Sequence, residues 1–351
     1  MSLVEWEPKT VALADVAGNA RAYIAASRSE STRRAYRADW EHFTAWCKKR
    51  KRSSLPADPE TVALYVTDMA DSRKPSRSPW KSSKTSKRPQ KDPEVSQVPK
   101  KDLEPYKPST IARHLVSIAQ AHKAAGHPSP TTDERVRLVN AGIRRVHGVA
   151  PRQVRPVVTE DLRRMVNSCG DDPAGVRDRA LLLIGFAAAL RRSELVGLDA
   201  TDVERTGDGL VLTLRKSKTD QEGAGRKIGV PYGSHLSTCP VRAWQSWIET
   251  AGITQGPLFR GIDRHGHIAA TRLSDRGVAL IVKRRAKAAG IDPESVSGHS
   301  LRAGLATSAA AAGVSERAIA ATTGHKSMTV LRSYIREGTL FTENAAAAVG
   351  L

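Results

Sequence analysis

Residues 297–337 read SGHSLRAGLATSAAAAGVSERAIAATTGHKSMTVLRSYIRE. The stretch parses into three helices. The first opens near His299, is rich in alanine and ends at Gly313. The second is short and stops at Gly324, because glycine just past the last periodic residue closes a helix. His325 follows at the turn. The third carries Tyr334. His299 and Arg302 stand three residues apart, on one helical face. Alone, a histidine or a tyrosine in such a segment is more often a packed residue than a reactive one.

Upstream, DRALLLIGFAAAL (178–190) reads as a long apolar helix running straight into Arg191, with Glu194 three residues on. A carboxylate at that spacing can hold a guanidinium in one rotamer and leave its other donors for a ligand; a surface ion pair has the same pattern. Between these blocks, Gly209–Arg215 alternates, with Leu210, Leu212 and Leu214 on one face, and Lys227–Tyr232 can pair with it. The polar connection Lys216–Arg226 contains Lys218. Thr159 is placed to cap the helix that follows it. Residues 159–351 therefore predict a mostly helical domain with one small strand pair.

The N-terminal part, 11–147, reads as five helices and no strand. They cover about 11–27, 33–50 (capped by Ser29 or Ser31), 60–70, 110–125 and 132–147. Residues 73–107 interrupt them with Lys, Arg, Ser and Pro and almost no apolar periodicity, which predicts a loosely held basic loop. Lys81, Lys84, Lys87 and Arg88 lie in it. Residues 148–158 (GVAPRQVRPVV) read as an extended linker.

The chain has 351 residues, a length that fits two domains, and 40% hydrophobic residues, sufficient for ordinary cores. Lys plus Arg number 56 and Asp plus Glu 36, a formal net charge of +20, which places a polyanion first among partners. Cys47, Cys169 and Cys239 form no CxxC pair, against a disulfide framework or a zinc ribbon, and fit a reduced, cytoplasmic setting. The acidic start broken by Pro8 is no signal peptide, and the longest apolar run, 180–190, is too short for a membrane.

Taken together, HxxR at 299–302, Gly-His at 324–325, Tyr334 and the LRRSEL block resemble the tyrosine recombinase (phage integrase) family. His325 stands 23 residues after Arg302, and Tyr334 nine after His325. The N-terminal stretches STRRAYRADWEHFTAWC and STIARHLVSIAQAH resemble that family's core-binding domain. Both stretches, and the SGHSLRAG and SYIR wording, are most like its simple, Cre-type members. The resemblance implies a mainly α chain with a small β-hairpin in the catalytic domain, the two domains forming a C-shaped clamp around DNA. It places Tyr334, Arg191, Arg302, His299, His325 and Lys218 on the catalytic positions and Glu194 on the supporting acid. Helices carrying Arg34 and Arg113 would face the DNA. Where many members have glycine, this chain has Ala189, a residue that fits a continuous helix.

The set makes chemical sense. Transesterification of a phosphodiester needs a nucleophile, charge stabilisation at the phosphorane, a proton acceptor and a proton donor. Tyr334 is the nucleophile, and two arginines can hold the non-bridging oxygens where other nucleases use a metal. His299 is the acid/base beside the tyrosine, Lys218 protonates the 5′-oxygen and His325 donates to the phosphate. Conserving the bond in a 3′-phosphotyrosyl link removes the need for ATP, and the chain has no P-loop motif. The expectation is thus no cofactor and no metal. A type IB topoisomerase, a non-cleaving DNA-binding protein and a histidine-based metallonuclease fit less well. Only about ten residues precede the first expected helix, so no arm-binding domain is expected. Roughly palindromic double-stranded sites, a homotetramer on paired sites and an assembly tail after Tyr334 complete the expectation.

Overall fold

The computed structural model describes residues 26–71, 105–149, 154–215, 225–325 and 327–339, with Asn19 and Tyr23. The expected helix over 11–27, all but the end of the 73–107 loop with Lys81, Lys84, Lys87 and Arg88, residue Lys218, and the tail 340–351 lie outside the described residues, apart from single positions. The chain divides into two compact units, Met1–Pro151 and Arg152–Leu351.

In the first unit the described helices are α1 (Glu30–Lys49), α2 (Pro59–Asp71), α3 (Pro108–Ala124) and α4 (Glu134–His147). Ser29 caps α1, its hydroxyl accepting from Thr32 N at 3.3 Å. Helix α4 starts two residues later than its pattern predicts. Asp133, not Ser or Thr further back, accepts from the Arg135 amide at 3.0 Å, and Thr132 belongs to a preceding 3₁₀ turn. Helix α1 packs on α3 and α2 on α4. Their apolar stripes enclose Phe43, Val62, Tyr65, Val66, Ile111 and Ile118, all without solvent exposure.

The second unit is built on α6 (Pro173–Ala187), which follows α5 (Thr159–Asn167). Helix α6 is buried on every side, because α5, α8 (Pro240–Ala251) and α10 (Ser300–Ala311) all pack on it. Its one buried carboxylate, Asp178, has no exposure and is matched by Arg177, Arg284 and Arg285. The short α7 (Arg192–Gly197) follows. Then comes an antiparallel sheet in the order β1 (Val203–Arg205), β2 (Gly209–Leu214), β3 (Arg226–Pro231). Leu210 lies across from Val230 and Leu212 from Ile228, and this inner face joins the core around Leu181, Ile184 and Trp247. A hairpin of β4 (Arg260–Ile262) and β5 (Ile268–Arg272) leads to α9 (Asp275–Ala288), and the described part of the unit closes with α10, α11 (Glu316–Thr323) and α12 (Met328–Gly338).

Four expectations change in this unit. The single strand pair becomes a three-stranded sheet and a separate hairpin. Thr159 is the first residue of α5 rather than its cap; its amide donates to Ser308 Oγ at 3.2 Å. Arg155–Val158, inside the stretch read as linker, are docked on the second unit: Arg155 N donates to Ser295 O at 2.8 Å and Val157 N to Ser300 O at 3.0 Å. Gly304 permits this approach, because a Cβ there would stand 1.8 Å from Val157 O. Finally, the helix read as running into Arg191 stops at Ala187, and Ala189 takes a left-handed φ of 49°. Ala189 is therefore not a helical residue but occupies a conformation that glycine adopts more readily.

Candidate active site

The break at Ala189 positions two arginines. It turns the chain so that Arg191 caps α7 instead of extending α6. Glu194, in the first turn of α7, then accepts twice from Arg191: its Oε2 from the backbone N–H at 2.8 Å and its Oε1 from Nη1 at 2.5 Å. The carboxylate is 1% exposed and the Arg191 side chain 18%. Arg191 and Glu194 thus meet as a helix cap and its third residue, not as neighbours on one helical face.

The second arginine comes from α10. Arg302 is 1% exposed, and its Nη1 donates to the carbonyl of Ala189 at 2.7 Å, so the strained residue is also the anchor. Its Nη2 is buried and has no hydrogen-bond partner among the described residues. Burial, and then the charge of Arg191, pushes the Arg302 guanidinium down to about 10. An unmatched buried guanidinium donor is costly unless a ligand completes it.

His299 is the N-cap residue of α10 and lies exposed at the helix start. Its Nε2 is 3.0 Å from the hydroxyl of Tyr334, which α12 presents. His325 also lies beside Tyr334, the ring centroids 6.1 Å apart. The left-handed C-cap Gly324 (φ 64°) ends α11 and swings His325 inward, where Thr323 Oγ1 meets its Nδ1 at 2.7 Å. The Thr323 hydroxyl donates to Ile319 O at 2.7 Å, so it accepts from Nδ1–H, and Nε2 of the neutral ring is the free lone pair. Burial, then Arg302 and Arg191, lowers His325 to about 4.

The structure thus brings Arg191, Glu194, His299, Arg302, His325 and Tyr334 into one cluster of the second unit. Arg34 and Arg113 belong to the first unit. Arg34 is exposed, while Arg113 is held bidentately by the buried Asp39, Nε to Oδ2 at 2.7 Å and Nη2 to Oδ1 at 2.9 Å. Asp39 also faces His114 Nε2 at 3.1 Å. One residue of the cluster escapes the sequence motifs: Arg226, at the start of β3, whose charge acts on both Arg302 and His325. Among the described residues no group of three or more His, Cys, Asp and Glu could hold a metal ion, and no helix is long and apolar enough to cross a membrane.

A tyrosine hydroxyl beside an imidazole, clustered with two arginines, is an arrangement suited to attack on a phosphoryl centre by a phenolic oxygen. Residues 157–339 match the phage integrase family, and the chain belongs to it. It is 36% identical over 323 residues to an integrase/recombinase XerD homologue of Selenomonas ruminantium, covering 91% of this chain and 85% of that one. With the recombinase Cre of Escherichia phage P1 it shares 24% over 314 residues, covering 84% and 80%. Among solved structures it is similar in fold to the XerH site-specific recombinase bound to palindromic difH substrate, with a TM-score of 0.53 and 16% identity over 70% of this chain and 68% of that one.

Proposed function

We infer that this chain is a site-specific tyrosine recombinase that cleaves and rejoins double-stranded DNA by transesterification. The Tyr334 oxygen attacks the scissile phosphorus, forming a 3′-phosphotyrosyl bond while the P–O5′ bond breaks. The deoxyribose 5′-hydroxyl is released, and later attacks the phosphotyrosine to reverse the step. The phosphoanhydride-free exchange conserves the bond, so ATP is not consumed, and guanidinium charge takes the place of a metal ion at the phosphorane.

The geometry supports roles for the residues it describes. His299 is in reach to take the phenolic proton from Tyr334. Arg302 Nη2 and the remaining donors of Arg191 hold the non-bridging oxygens, with Glu194 fixing Arg191. Burial, then the charges of Arg302 and Arg191, keeps His325 neutral in the free site; a bound phosphate offsets those charges and favours a protonated imidazole that donates from Nε2. Lys218, on the β2–β3 connection, is proposed to protonate the 5′-oxygen. The observation that carries the reading is Tyr334 in contact with His299 next to a buried, unmatched Arg302 donor.

The wider proposals are Arg34, Arg113 and the basic 73–107 loop on phosphates, roughly palindromic sites, a homotetramer on paired sites and a cytoplasmic setting. The Cre-type refinement is supported by the two N-terminal stretches and by the SGHSLRAG and SYIR wording, whereas identity is higher and extends further with the XerD homologue. A two-site recombination assay run beside a supercoil-relaxation assay tests the reading. Exchange of flanking DNA is the expected product; relaxation without exchange would instead mark a topoisomerase, and loss of activity in EDTA a metallonuclease.

A further inference from the structure

Arg226 lies in a hairpin rich in basic residues and belongs to none of the motifs above. Its two Nη atoms do not point at open space. Nη1 donates to Thr322 O at 3.1 Å and Nη2 to Thr323 O at 3.4 Å. These carbonyls close α11 and have no partner within the helix, and the negative end of the helix dipole favours a cation there. Thr323 is thereby held twice. Its carbonyl takes Arg226, and its hydroxyl links Ile319 O to His325 Nδ1. The guanidinium also covers Gly324: a Cβ there would stand 2.6 Å from Nη1 and 2.7 Å from Cζ. Only glycine both takes φ 64° and leaves room for this side chain.

We propose that Arg226 is a positioning residue for His325: its fork ties the end of the β2–β3 connection to the last carbonyls of α11 and fixes the turn that carries the imidazole. A fork is needed because adjacent carbonyls must be spanned at once, which an ammonium cannot do. Two of its five N–H donors are spent on these protein carbonyls, so its fork holds the turn before any ligand is bound. Half-buried, its guanidinium is held below its ordinary value by burial, with Arg191 opposing and Glu194 supporting its charge. The groups acting electrostatically on the His325 ring are Arg302, Arg191, His299 and Arg226 itself. The consequence for phosphate binding rests on the recombinase reading; the geometry of the turn does not.

The test has two arms on the full chain. In the first, the His325 ring is followed by NMR in the free protein. Arg226→Ala is expected to shift its resonances and raise its titration midpoint by roughly one pH unit, since a like charge and a packing partner are both lost. Arg226→Lys keeps the charge and is expected to shift the resonances with a smaller change of midpoint; it also serves where the alanine variant does not fold. Unchanged His325 resonances in a folded variant overturn the proposal. In the second arm, single-turnover cleavage is compared in a cycle with His325→Ala. Loss of Arg226 is expected to cost about tenfold with His325 present and under about twofold without it. Equal losses in both backgrounds show that Arg226 acts on the DNA itself and overturn the proposal, as does no loss in either. A wild-type chain that never cleaves DNA, with the NMR shift intact, counts against the recombinase reading alone.

Discussion

The imidazole Nε2 of His299 lies 3.0 Å from the hydroxyl of Tyr334, across 35 residues of sequence. Tyrosine ordinarily ionises near pH 10, so at neutral pH its oxygen needs an acceptor for the proton as the bond to phosphorus forms. His299→Ala is expected to slow single-turnover cleavage by roughly 10²- to 10⁴-fold. DNA affinity should change by less than about threefold, because one exposed imidazole adds little to a basic interface. Cleavage within about twofold of wild type would remove His299 from the proton path.

Ala189 joins backbone conformation to chemistry. It is fully buried at φ 49°, and its carbonyl receives Arg302 Nη1. In Ala189→Gly the relief of strain and the loss of a buried methyl oppose each other, and stability should stay within about 1 kcal/mol. A β-branched side chain has no such offset. Ala189→Val is expected to cost roughly 2–3 kcal/mol and to lower cleavage at temperatures where it remains folded. Chemical denaturation of the two variants reads the difference; equal stability would show that the left-handed turn does not constrain this site.

Gly304 tests whether residues 154–158 are part of the second unit's fold. A Cβ there meets Val157 O and C, backbone atoms that have no rotamer to escape into. Gly304→Ala is therefore expected to destabilise by more than about 2 kcal/mol, although alanine is the better helix former. A stabilised variant would mean that the 154–158 segment is not seated on α10.

His325 gives a pH dependence of defined sign. Its ordinary value is 6.5 and the folded site lowers it to about 4. Between those limits the unfolded chain binds the proton and the folded chain does not. Stability from this group is thus present above pH 6.5 and is lost as pH falls towards 4. Comparing wild type with His325→Gln by denaturation from pH 7 to 4 should show an extra loss in wild type of roughly 1–3 kcal/mol. Parallel curves would contradict a neutral, desolvated imidazole.

Much of this was legible in the sequence, for reasons that can be named. Leu210, Leu212 and Leu214 alternate and β2 forms; Phe43 and Cys47 recur at helical spacing and α1 buries them. HxxR, Gly-His and Tyr334 fall near one another because glycines at 313 and 324 close two short helices where expected. What stayed hidden depends on distant contacts. AAALRRSEL reads as helix because alanine is a good helix former; the left-handed turn at Ala189, whose carbonyl receives Arg302 Nη1, shows only in the fold. Strands β1 and β4 span three residues each, too few to show alternation. Arg226 looked like one more basic loop residue, because its partners lie 96 and 97 positions away.

The central claim is that Tyr334 becomes joined to DNA. The direct measurement is to incubate the protein with a random-site duplex library, isolate covalent complexes, digest them and sequence the modified peptide. The expected adduct is a 3′-phosphate on Tyr334 with a free 5′-hydroxyl on the other strand end, absent in Tyr334→Phe, which still binds DNA within about threefold of wild type. An adduct on Tyr23, Tyr36, Tyr65, Tyr106 or Tyr232, or one that persists in Tyr334→Phe, would contradict it.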